Sequence, residues 1–161
     1  MEKIKMEIQL LEGLGSLKFG DLPVAVENTL GKPDEIENLG EEGDEELDTI
    51  IWNYDELGIT VFFEGKNNHV LSCFETDNEN VTLFGQKVFS LNEARIIELM
   101  KAAGYTQIDK GDEEWGEKRV SFDEVLIDFY FHNNELVTVN WGVYVNEDGE
   151  IEEFDDFEDE D

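Results

Sequence analysis

Cysteine is nearly missing from this chain: Cys73 stands alone, so no internal disulfide can form, and a reducing compartment fits. Basic residues are scarce too. Eleven Lys and Arg face 42 Asp and Glu, a formal net charge of −31, and such a field repels nucleic acid and anionic membrane surfaces. There is no apolar run near the roughly 18 residues that a membrane-spanning helix needs. The N-terminal stretch has no uninterrupted apolar segment either, because Glu7, Gln9 and Glu12 break it. A cytoplasmic protein is the expectation. Two histidines without His or Cys neighbours at ligand spacing leave no zinc motif, and no phosphate-cradling glycine loop or nucleophile elbow is present. No cofactor, no metal and no enzymatic activity are expected.

What is present is a foldable chain of 161 residues, 40% hydrophobic and 11% aromatic, long enough to bury one core. The acids are concentrated in two stretches, nine in 34–48 and eleven in 146–161, with no base in either. The first of these lacks apolar periodicity and reads as a solvated loop.

The segment "GDLPVAVENTLGKP" predicts a helix, with Asp21 as N-cap, Pro23 in the first turn, and Gly31 and Pro33 closing it. Three β-rich runs follow at 49–54, 59–63 and 69–74, separated by Asp, Gly and Asn. The pattern then restarts. "SLNEARIIELM" predicts a second helix with a Ser90–Glu93 capping box, and "KRVSFDEVLIDFYFHNNELVTVNW" repeats the three runs. "YDELGITVFF" (54–63) aligns without a gap on "FDEVLIDFYF" (122–131), and "HVLS" lies over "ELVT". A final hairpin turns at Asp148–Gly149, a pair suited to a type I′ turn. The expectation is a single domain of two repeats, about 14–76 and 84–145, with an acidic hairpin and tail over 146–161. The expected fold class is α+β: an internal duplication of a helix–three-strand unit, forming an antiparallel sheet with helices packed on one face.

Phe19-Gly20, Val26, Leu30-Gly31 and Pro33, followed by the short meander, resemble the BamE-like (SmpA/OmlA) module. A tandem pair of such modules is similar to the β-lactamase-inhibitor-protein fold. The chain departs from both: it has no lipidation cysteine and no pair of cysteines for a disulfide. The resemblance implies a fold whose known members bind proteins rather than catalyse reactions.

Among candidate sites, Asp55-Glu56 and Asp123-Glu124 have the composition of catalytic carboxylate pairs, but both fall at hairpin turns, where Asp and Glu serve turn geometry and solvation. Cys73 in a β-run is more simply a small core residue than a nucleophile. The tail "NEDGEIEE" departs from a calcium loop at its first and twelfth positions. The aromatic residues carry the functional reading. Trp52, Tyr54, Phe62, Phe129, Tyr130, Trp141 and Tyr144 lie in strands whose two faces both bear rings. Of these, Trp52, Tyr54, Tyr130, Trp141 and Tyr144 are the partner-binding candidates, and Trp115 stands in an acidic loop as a candidate exposed anchor. The function expected is a non-catalytic acidic module that binds a basic protein, an inhibitor or immunity-type protein covering a partner such as a nuclease. The alternative is an acidic divalent-metal or small-ligand-binding domain. No direct nucleic-acid or membrane binding is expected, and the sequence leaves the oligomeric state open.

Overall fold

The computed structural model describes residues 5–39, 49–112, 116–146 and 148–152. In chain order they form β1 (Glu7–Gln9), β2 (Gly13–Leu14), β3 (Leu17–Lys18), α1 (Pro23–Leu30), β4 (Glu35–Leu39), β5 (Thr49–Tyr54), β6 (Ile59–Glu64) and β7 (Val70–Thr76). There follow β8 (Thr82–Leu83), β9 (Gln86–Lys87), α2 (Glu93–Ala102), β10 (Asp109–Asp112), β11 (Lys118–Phe122), β12 (Ile127–His132), β13 (Glu135–Gly142), β14 (Tyr144–Val145) and β15 (Ile151–Glu152).

Eight strands make one antiparallel sheet in the order β10-β11-β12-β13-β7-β6-β5-β4. Alternation along each strand sends one set of side chains inward. In β6 these are Ile59, Val61 and Phe63, and in β12 they are Ile127, Phe129 and Phe131. A bulge interrupts each hairpin at the aligned place, between Phe62 and Phe63 and between Tyr130 and Phe131. It shifts the register, so that Leu71 faces Phe63 as Leu136 faces Phe131. The overlay of "HVLS" on "ELVT" is therefore one residue out.

The α+β expectation fails. Of the described residues 46% are in strands and 16% are helical, with only two α-helices, so the molecule is mostly β. A second sheet that the sequence does not announce, β3-β2-β1-β8-β9, is built from the segments ahead of the two helices. Strands of two or three residues are too short to show a period. Ile8, Leu14, Leu17, Val81 and Leu83 of this region share one core with Phe74, Phe129 and Trp141 of the large sheet. The helices add Val26, Leu30, Ile96 and Met100, so the core face is covered by strands and helices together.

Local details differ as well. Leu22, not Asp21, is the N-cap of α1, and it makes no side-chain cap; Asp21 accepts from the Lys18 N–H at 2.9 Å instead. Asn92, not Ser90, caps α2 by accepting from the Arg95 N–H at 3.0 Å. Glu93 turns its carboxylate to Lys110 and Lys118, both at 3.1 Å, tying α2 to β10 and β11. Burial opposes ionisation of Glu93, but the two lysines outweigh it and lower its pKa. In the last hairpin Gly149 has φ 82, and its N–H donates to the Asn146 carbonyl at 3.1 Å. The Asn146 side chain organises the turn, accepting from the N–H groups of Asp148 and Glu150 at 2.9 Å.

Candidate functional site

The face of the large sheet opposite the core carries the candidate site. Register places one polar residue from every strand in a single row across it. Glu35 faces Asn53, Asn53 faces Thr60, and Thr60 faces Glu75. Across the central seam Glu75 faces Asn140, which leads to Asp128, Ser121 and finally Asp109. Hydrogen bonds knit the row. Thr60 donates to Asn53 at 3.0 Å and the Asn140 amide to Glu75 at 3.3 Å, while Ser121 donates to Asp128. Arg119 donates to Ser121 at 2.7 Å and pairs with Asp109 at 3.5 Å.

Apolar groups flank the row. Ile51 and Phe62 face each other, Cys73 follows Phe62 on the next strand, and Tyr130 lies beyond the row on β12. All four are half-buried, and Ile51, Phe62 and Tyr130 are not among the side chains packed against the core. Glu37 and Glu64 add charge. Among the described strand residues of this face, Arg119 is the only Lys or Arg.

Burial raises the pKa of Asp128, against the lowering effect of Ser121 and Arg119, and nearby Asp123 and Asp109 add to the rise. Burial, then Glu64 and Glu75, push the Cys73 thiol far up, so it stays protonated and is unsuited to nucleophilic attack. Its Sγ instead lies 3.4 Å from the Asn140 side-chain oxygen.

The six aromatic residues singled out by sequence separate into three groups. Trp52, Tyr54 and Trp141 point into the core. Trp52 meets Phe63 edge-on at 4.8 Å, and Trp141 stacks on Phe74 at 5.4 Å while its indole N–H donates to the Gly13 carbonyl at 2.9 Å. The Tyr54 hydroxyl donates to the Gly31 carbonyl at 2.7 Å, and burial, followed by Glu27 and Asp34, raises its pKa. Buried in this way, Trp141 leaves no surface exposed, and Trp52 and Tyr54 leave little. Tyr130 is on the open face, and Tyr144 on β14 is 57% exposed. Trp115 lies outside the described residues. Phe62 and Ile51, which were not among the six, sit on the accessible face; the signal was their alternation with the buried Trp52, Val61 and Phe63.

The Asp-Glu pairs do not converge. In a sheet of alternating strand direction the β5–β6 and β11–β12 turns point opposite ways, four strand spacings apart, or about 19 Å laterally. That exceeds the separation across which two carboxylates act on one bond, about 10 Å at most. No group of three or more His, Cys, Asp and Glu comes together in metal-holding geometry among the described residues. No described helix is long and apolar enough to cross a membrane. Comparison of the chain with protein-family models, with curated proteins and with solved structures finds no match in any of the three.

Proposed function

We propose that this chain is a non-catalytic binding module whose open sheet face covers a basic protein, in the manner of an inhibitor or immunity-type protein on a nuclease, in the cytoplasm. The observation that carries the reading is the makeup of that face. Half-buried Ile51, Phe62 and Tyr130 sit among Glu35, Glu37, Glu64, Glu75 and Asp128, with Arg119 the only Lys or Arg among the described strand residues of the face. Apolar and aromatic groups supply affinity when fully desolvated at the centre of an interface, and surrounding charge supplies speed and selectivity. Against a nucleic-acid-binding partner, the carboxylates would occupy the places of phosphates.

The test is stoichiometric capture from the source cell on the tagged full-length chain at low ionic strength. A basic protein held at about 1:1 by the wild type is expected to be lost on Phe62→Ser with Tyr130→Ser, since interface hot spots cost about 2 kcal/mol or more each. Circular dichroism checks that the variant is folded. Recovery of no stoichiometric protein, or of one held equally by the variant, contradicts the proposal.

A further inference from the structure

A second accessible surface continues from the open face at its β10 edge. Where β10, the β11–β12 turn and β14 meet, the chain forms an open groove of about 720 Å³. Ile108, Leu126 and Tyr144 give it an apolar floor, and Asp109, Asp123 and Glu124 give it an acidic rim. The Gln107 N–H donates to Glu124 at 3.4 Å and holds one wall to the other. Asp109 is also the last residue of the polar row, so a partner on the open face reaches this groove.

Leu126 is the unusual member. It adopts φ 53, in the left-handed region, and at the aligned position of the β5–β6 turn the chain has Gly58 at φ 65. A leucine there is strained where glycine is not. Core packing does not offset that strain, because Leu126 is neither in the buried core nor among the half-buried side chains packed against it. Its side chain lines the groove.

We infer that this groove is the docking site for an arginine side chain of the basic partner. The inference rests on the binding-module reading above and names where one contact of that partner falls. A guanidinium is flat and weakly hydrated: it stacks on an exposed tyrosine ring while its alkyl stem covers apolar groups. Tyr144 supplies the ring, Leu126 and Ile108 the apolar contact, and Asp123 with Asp109 the carboxylates. The rim already handles this chemistry, since Asp109 pairs with the Arg119 guanidinium.

The test titrates the ¹⁵N-labelled full chain at low ionic strength with acetyl-Gly-Gly-Arg-Gly-Gly-amide, and with the same peptide carrying neutral citrulline. Saturable shifts are expected at amides 107–109, 123–126 and 144 with the arginine peptide and not with citrulline. Leu126→Gly is expected to keep or raise the thermal midpoint, by relieving strain, while weakening binding about fivefold, and Tyr144→Ala to weaken it comparably. Shifts centred on another surface, or binding by Leu126→Gly within about twofold of wild type, overturn the groove and leave the broader reading standing. Absence of any binding to the arginine peptide overturns the groove too, whereas the broader reading falls only if the capture experiment fails.

Discussion

Asp128 is the sixth of the eight residues in the polar row, half-buried between Asn140 and Ser121, and its raised pKa has a consequence for stability. A folded value above the unfolded one means that the native chain holds the proton more tightly. The stabilisation from this group is therefore complete below the unfolded value, about 3.9, and is lost as pH rises through the folded value. Asp128→Asn keeps an acceptor for Ser121 and removes the charge. It is expected to unfold at a higher urea concentration than wild type at neutral pH, and the two are expected to converge as pH falls below the carboxylate range. A variant less stable than wild type at neutral pH contradicts this. Trp141 shows the opposite kind of residue, wholly enclosed. Trp141→Phe leaves a cavity beside Phe74 and the Gly13 carbonyl one bond short, an expected loss of about 2–4 kcal/mol in urea unfolding. A loss under about 1 kcal/mol would place the indole outside the structural role assigned to it.

Among the elements, the β13–β7 pairing is the seam that joins the two four-stranded halves of the large sheet. Gly142 lies at its end, opposite Cys73, with the backbones in close approach. A Cβ at this position would come within 2.5 Å of the Ser72 carbonyl oxygen. Gly142→Ala is expected to cost about 1–3 kcal/mol and to speed hydrogen exchange along the seam more than in the β5–β6 or β11–β12 hairpins. Uniform exchange across the sheet contradicts it. Such elements differ in how far sequence exposes them. β5–β7 and β11–β13 were legible because buried residues on one face force a period of two. β4 and β10 were not: edge strands in a solvated, acidic context carry little apolar pattern, so Glu35 to Leu39 looked like loop until pairing with β5 held it. The candidate site was half legible for a related reason. Alternation in β5 separates Ile51 and Asn53 from Trp52 and Tyr54, but which set faces the core depends on the second sheet, whose strands are too short to read. Trp52, Tyr54 and Trp141 therefore went inward, while Phe62 and Ile51 came out.

For the whole molecule, the proposed function assigns the net charge of −31 a role at a distance and the open face a role at contact. On the binding-module proposal, long-range attraction would raise the rate of encounter with a cationic surface, whereas Ile51, Phe62 and Tyr130 would govern how long the partner stays. These contributions are separable, because salt screens the first with a Debye length of about 10 Å at 0.1 M and hardly touches the second. The most direct measurement is the association rate constant between the full chain and its captured partner as a function of ionic strength. The binding-module reading requires a fall of about tenfold or more from about 20 to 300 mM salt, with a dissociation rate that changes far less. An association rate that is flat over that range would mean that the acidity of this chain does not serve recognition.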